Sequence, residues 1–234
     1  MKILAIIPAR GGSKGVPGKN SKEFNGKPLI QYAVDCAVES NHINKIIVDS
    51  DDQSILNAVD SSIDGERIEK HLRPKELGKD DTKIDEVVVN LIDQLQEQFD
   101  IIILLQVTSP IRTSKDISNI LSYFKEYANL EGVISVVPMD DMHPARMYKI
   151  DNTNKLEPFV EDNESKHRQH LDPVYYRNGC FYAIRTKAFL EQRTFMPKNK
   201  KAYVMNPNHL LNIDAKRDVQ IAETLISAWL KDQL

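Results

Sequence analysis

Two periods of apolar residues run through this chain. Residues 3–8 (ILAIIP), 45–49 (KIIVD), 100–106 (DIIILLQ) and 132–138 (GVISVVP) are short, nearly continuous apolar runs rich in β-branched side chains, the pattern of strands covered on both faces. Between and after them lie amphipathic stretches of helical period at 28–38, 84–95, 117–127 and 215–230, the last with Ile221, Leu225 and Trp229 on one stripe. Strand alternating with helix predicts an α/β fold, a parallel sheet with helices on both faces. The rhythm breaks at 140–172, a polar stretch rich in Asn, Glu and His whose two short runs, 146–150 and 156–160, read as a hairpin. A further strand is expected at 174–184 (VYYRNGCFYAI), and no internal repeat or low-complexity tract is evident.

The chain has 234 residues, 41% of them apolar, enough for one domain with a sizeable core and a small appendage. Lysine and arginine number 31 against 34 acidic residues, a formal charge of -3, which argues against nucleic acid as a partner. Cys36 and Cys180 are too few and too far apart for a disulfide framework or a zinc knuckle, and read as two inert thiols in a reducing compartment. The run 3–8 is too short for a signal sequence or a membrane span, so a cytoplasmic location without a membrane partner is expected.

In open α/β sheets ligands sit beyond the carboxyl ends of the strands. The segment behind the first run, ARGGSKGVPGKN, places Arg10, Lys14 and Lys19 among four glycines with no acidic residue nearby. It matches neither G-x-x-x-x-G-K-[ST], since Ser13 stands where the first glycine belongs and Asn20 follows Lys19, nor G-x-G-x-x-G. Glycines let backbone N–H groups approach an anion, and Arg10 and Lys19 supply cationic donors suited to phosphate. A flexible basic turn is the other reading of the same residues.

IPARGGSKGVPGKN resembles the amino-terminal signature of the acylneuraminate cytidylyltransferases and related CMP-nonulosonic acid synthetases. The likeness continues in order through LRPKEL (72–77), LLQVTSPIR (104–112), HPARM (143–147), RQHLDPVYYRNGCFY (168–182) and NIDAKRD (212–218). It implies a three-layer, Rossmann-like nucleotide-diphospho-sugar transferase fold with a mainly parallel sheet. Region 140–172 becomes a small dimerisation lobe inserted in a single domain 1–234. The implied reaction moves CMP from CTP to the anomeric hydroxyl of a sialic acid-like keto sugar and releases pyrophosphate.

Residue by residue, the resemblance gives Arg10 and Lys19 to the triphosphate, with Gly11, Gly12, Ser13 and Asn20 wrapping the nucleotide and Arg73 and Thr82 at its base end. Gln106, Asn178, Tyr182 and Phe195 fall to the acceptor sugar, as do Arg146 and Arg168, which reach across a homodimer. The family's Asp-Ile-Asp near the last helix is Asn212-Ile213-Asp214 here, so the expected magnesium site keeps one carboxylate, Asp214, beside a neutral amide, Asn212. Arg10, Lys19 and Asp214 are therefore the expected catalytic residues. The competing reading of Asp214, placed behind metal ligation, is the N-cap of the last helix.

A second departure is DSDD (49–52), where Asp49 is an extra acid; capping of the next helix by Ser50, Asp51 or Asp52 explains most of the cluster. His143, His167 and His170 lie in the lobe with no triad or zinc spacing. Two alternatives stand: a nucleotidyltransferase for another sugar, such as Kdo, legionaminic or pseudaminic acid, or a nucleotide-binding module that has lost catalysis.

Overall fold

The structure is a computed structural model that describes residues 1–62, 64–139, 141–160 and 166–234; Arg168 is described by its backbone alone. The first half contributes β1 (Ile3–Pro8), the two-residue strands β2 (Glu23–Phe24) and β3 (Lys27–Pro28), α1 (Leu29–Val38), β4 (Lys45–Ser50), α2 (Gln53–Asn57), β5 (Ile68–Leu72) and α3 (Ile84–Gln94). After these come β6 (Ile101–Leu104), α4 (Ser114–Glu126), β7 (Gly132–Pro138), β8 (Tyr148–Ile150), β9 (Leu156–Pro158), β10 (Tyr175–Arg185), α5 (Thr186–Gln192), β11 (Lys200–Val204) and α6 (Lys216–Leu230). Seven strands form one sheet in the order β11-β7-β10-β6-β1-β4-β5. All its pairings are parallel except those of β10, which runs antiparallel between β6 and β7.

Strand side chains alternate between faces, and the continuous apolar runs fill both. Ile3, Ala5 and Ile7 of β1, with Ile101 and Ile103 of β6, pack on one side beneath α1, α4 and α6. Leu4 and Ile6, with Ile102 and Leu104, pack on the other beneath α3 and α5. Three layers result, as the strand–helix alternation predicts. Edge strands β5 and β11 were not anticipated, because IEKHL and KKAYV carry too much charge to read as buried runs; each has only one neighbour in the sheet.

At the last helix the competing N-cap reading of Asp214 does not hold. Ala215 occupies the N-cap, and Asp218 reaches back to accept from the backbone N–H groups of Asp214 and Ala215 at 2.9 and 2.7 Å. The side chain of Asp214 is thus free of capping. At α2 the cap is Asp52, which accepts from Ser54 N at 2.8 Å. In the excursion from the sheet, β8 and β9 pair as the expected hairpin, shortened at both strands.

One irregularity shapes the site. Arg177 pairs with Val136 and Tyr182 with Ile134, leaving residues 178–181 bulged opposite Ser135. Polar side chains satisfy the bulge: Ser135 Oγ donates to Asn178 Oδ1 (2.6 Å) and accepts from Phe181 N (2.8 Å), while Ser109 Oγ donates to Asn178 O (2.8 Å). Gly179 sits within it at φ +78°, and a Cβ there would lie 2.6 Å from Gln106 Oε1 and 2.8 Å from Ser109 Oγ. Left-handed backbone costs an L-residue about 1–2 kcal/mol before any clash. Gly179→Ala is therefore expected to lower unfolding stability by about 1–3 kcal/mol in a urea titration.

Candidate active site

The segments that follow the carboxyl ends of β1, β5 and β6 line a cleft of about 510 Å³. Arg10, Ser13, Lys19, Asn20, Arg73, Thr82, Gln106, Asn212 and Asp214 all line it, so residues up to 204 positions apart in sequence converge there. Gly11 and Gly12 lie in the loop beside it without lining it. A second cavity of about 430 Å³ adjoins, lined by Tyr175, Tyr176, Arg177, Gly179 and Tyr182, and it shares Gln106 and Asn212 with the first. The two spaces meet at those two amides.

The glycine loop is held down rather than flexible. Asn20 is buried and donates through Nδ2 to Arg10 O at 2.9 Å, closing the neck of the loop. Asp51 Oδ1 accepts from Gly11 N at 3.0 Å. At Gly15 an added Cβ would collide with the Asp214 carbonyl, so only glycine lets the loop lie against the segment before α6. These contacts argue against the reading as a loose basic turn.

Its cations divide between two acids. Lys19 Nζ, only 12% exposed in its side chain, donates to Ile213 O (2.8 Å) and Asp214 Oδ1 (2.7 Å). Arg10 Nη1 and Lys14 Nζ each lie 2.5 Å from the carboxylate of Asp80. Hydrogen bonds from Lys14 and then Arg10 hold the Asp80 carboxyl below the usual carboxylate range. Lys14, Lys79 and Asp80 were missed as lining residues; the charge run after RPKEL was the available signal.

At the far wall Arg73 lines the cleft with its side chain buried, Nη2 lying 2.9 Å from Asp49 O and 2.6 Å from Asp49 Oδ2. In the second cavity, burial pushes the Tyr182 hydroxyl pKa up. The remaining sequence-derived residues are placed elsewhere. Asn178 is buried and braces the bulge. Phe195 is 4% exposed, with its ring centroid 4.8 Å from that of Phe189, and faces neither cavity. Arg146 Nη2 donates to Lys166 O at 2.8 Å in the lobe, and the Arg168 side chain lies outside the described atoms. Arg177 and the paired Tyr175 and Tyr176 carried no separate sequence signal beyond their place before Asn178-Gly179.

For a divalent cation the donor set is small: among the described residues no three His, Cys, Asp or Glu side chains gather at one point. Asp214 and the Asn212 amide oxygen share the cleft wall, which suits a cation completed by phosphate oxygens and water rather than a protein-enclosed one.

The family model described as "Cytidylyltransferase" matches residues 4–229. Pseudaminic acid cytidylyltransferase of Campylobacter jejuni subsp. jejuni serotype O:2 is 31% identical over 228 residues, 96% of each chain. CMP-N,N'-diacetyllegionaminic acid synthase of Legionella pneumophila is 31% identical over 97% of each chain. N-acylneuraminate cytidylyltransferase of Streptococcus agalactiae serotype V is 30% identical over 93% of this chain, which spans 52% of that protein. Among solved structures, CMP:2-keto-3-deoxy-manno-octonic acid synthetase complexed with CTP superposes with a TM-score of 0.68 at 16% identity over 97% of this chain and 99% of the other. The 4-diphosphocytidyl-2C-methyl-D-erythritol synthase of Anaerococcus prevotii gives 0.65 at 13% identity over 97% and 96%. At those identities the likeness establishes the fold, the Rossmann-like nucleotidyltransferase architecture.

Asp80 sits where the loop's cations would meet a polyanion, so its carboxylate competes for them. Exposed ion pairs of this kind contribute about 0–1 kcal/mol each. Asp80→Asn is expected to tighten binding of inorganic tripolyphosphate about two- to fivefold, read by calorimetry at low salt.

Proposed function

The chain belongs to the cytidylyltransferase family, and on that premise we propose that it transfers CMP from CTP to the anomeric hydroxyl of a nonulosonic acid, a sialic acid-like α-keto sugar, releasing pyrophosphate. The observation that carries this reading is the junction of the two cavities at Gln106 and Asn212. A two-substrate transfer needs a donor and an acceptor brought end to end, and the larger part of its acceleration comes from such positioning.

In this reading the triphosphate lies along the glycine loop. Arg10 and Lys14 exchange Asp80 for phosphate oxygens, and Lys19, already beside Asp214, neutralises charge where the leaving pyrophosphate forms. Ser13 and the backbone at Gly11 and Gly12 border the phosphates, with Asn20 keeping the loop closed; Arg73 and Thr82 stand toward the base. The hydroxyl oxygen of the sugar attacks the α-phosphorus and gives up its proton to water or a phosphate oxygen, while the bond to the bridging oxygen breaks and pyrophosphate leaves with that electron pair. Magnesium, held by Asp214 and the Asn212 amide oxygen together with the phosphates, would supply further charge neutralisation at this centre. Gln106 and Tyr182 hold the sugar near its reacting end, and their side chains need polar partners that a hydroxylated ligand provides.

A homodimer is part of the proposal. The lobe presents Met142, Met147, Ile150, Leu156 and Phe159 to solvent, Ile150 66% and Leu156 58% exposed, which is more contiguous apolar surface than a hairpin needs for itself. From that lobe Arg146 and Arg168 would serve the neighbouring subunit's acceptor site. A cytoplasmic setting fits the supply of CTP and the two buried free thiols, the Cys180 thiol pushed up to about 11 by burial. Among the described residues no helix is long and apolar enough to cross a membrane.

The test is pyrophosphate release from CTP and magnesium with a panel of keto sugars: N-acetylneuraminic, legionaminic and pseudaminic acids and Kdo. Turnover with a nonulosonate, reduced about 10²–10³-fold in kcat by Lys19→Ala, is the expected result. CTP binding without turnover on any acceptor would favour a non-catalytic module. A second expectation concerns the missing carboxylate: Asn212→Asp adds charge to the cation's donor set and lowers the magnesium concentration for half-maximal rate. An unchanged or raised requirement in a magnesium titration counts against Asn212 as a ligand.

A further inference from the structure

The acidic run at 49–52 has no part in the reaction above, yet its first member is wholly buried. Asp49, the penultimate residue of β4, is 0% exposed and has two basic partners. His71, opposite it in the β4–β5 register, places Nδ1 2.7 Å from Oδ1, and Arg73 places Nη2 2.6 Å from Oδ2. The same guanidinium nitrogen donates to the backbone oxygen of Asp49 at 2.9 Å, and Nη1 lies 3.4 Å from Leu77 O, in the segment where Leu77 also lines the cleft. The Nε of Arg73 and the Oδ2 of Asp49 are both buried without a hydrogen-bond partner, so the close approach of Nη2 to Oδ2 is an ion pair rather than a hydrogen bond. A carboxylate taken out of water is tolerated only when paired, and a buried guanidinium likewise.

We propose that Asp49 is a positioning residue: its carboxylate, seated between His71 and Arg73, fixes the Arg73 guanidinium and the 73–77 segment as the base-side wall of the nucleotide cleft. The inference rests on the reading of the cleft as a nucleotide site. Arginine in place of any other cation matters here, because its planar fork can hold Asp49 and the Leu77 carbonyl from one side while its remaining edge faces the wall. A mispositioned wall weakens nucleotide binding without touching the phosphate-transfer machinery at Lys19 and Asp214, which lies on the opposite side of the cleft. It also blunts the distinction between bases, since base selection depends on donors and acceptors held at fixed distance. Burial holds the Asp49 pKa above the usual carboxylate value, with Arg73 and then His71 pulling against it.

The experiment compares wild type with Asp49→Asn, measuring CTP and UTP binding by calorimetry and, where turnover occurs, kcat and KM. The expected result is a CTP KM and dissociation constant raised about five- to twentyfold, kcat within twofold, and a preference for CTP over UTP reduced by a similar factor. In an Arg73→Ala background the same substitution should change CTP binding less than twofold. If Asp49→Asn does not accumulate as folded protein, His71→Gln removes one partner while leaving the ion pair to Arg73, and a two- to threefold rise in the CTP dissociation constant is expected. Unchanged CTP binding in these variants, a loss confined to kcat, or a full-sized effect of Asp49→Asn without Arg73 overturns the proposal. Wild-type binding of CTP without turnover would instead refute the transferase reading, leaving the binding comparison able to judge Asp49.

Discussion

A buried charge holds the acceptor end of this molecule together. Arg112 is 1% exposed, and the one carboxylate that acts on it, Asp116, is a minor influence beside burial. Its guanidinium donates instead to the backbone oxygens of Gln106 and Cys180 and lies 5.6 Å from the ring centre of Phe181. Desolvation pulls its pKa below the ordinary arginine value, with Cys180, Cys36 and Asp116 opposing it, and the carbonyl dipoles and the aromatic face help to offset the cost of burial. Both carbonyls belong to segments that bear the site: the exit of β6, which ends in Gln106, and the bulge of β10. Locking the two together brings Gly179 against the Gln106 amide, so the side chain shared by both cavities is braced from behind.

The donor end is built on the opposite principle. Its cations are paired in exposed, screened contacts of Arg10 and Lys14 with Asp80, which contribute little to stability and exchange readily for another anion. Lys19 is the exception, its side chain mostly covered and tied to a backbone oxygen as well as to Asp214. A site that must take up and release a highly charged ligand gains from such weak resident pairs, because the loop's cations are never left unsatisfied in water-poor surroundings. The end proposed for the acceptor is instead internally hydrogen-bonded through Ser109, Ser135 and Asn178.

How much of this was legible depends on whether local pattern or distant pairing decides. The four apolar runs and the four helical stretches were readable because burial on both faces leaves a continuous signature, and β1 and β7 match their expected bounds. The antiparallel β10 could be read as a strand, yet its direction was not, since direction follows from which neighbours it reaches. The bulge was invisible for the same reason: Ser135, Asn178 and Gly179 look like ordinary strand residues until register shifts against Val136 and Ile134. At the site, Arg10, Lys19, Gln106, Asn212 and Asp214 were found through their place after strands and the family resemblance. Arg73 was found by the same resemblance, but Asp80 and the pairing of Asp49 with His71 and Arg73 were not, because each gains its meaning only from a partner many residues away.

Capping illustrates how one residue's role is settled by its neighbour. Asp214 and Asp52 have the same sequence credentials for an N-cap, but Asp218 takes the α6 backbone donors and leaves Asp214 to Lys19, whereas nothing relieves Asp52 of Ser54. The neighbours of Asp52 then face inward. Asp51 binds the Gly11 backbone and lies against Gly78, and Asp49 meets Arg73. One strand end thus holds the glycine loop on one side of the cleft and the 73–78 segment on the other. The separation of the two walls is set by the end of β4 and two carboxylates, Asp49 and Asp51, while Arg10 and Lys14 of the loop remain able to exchange anions.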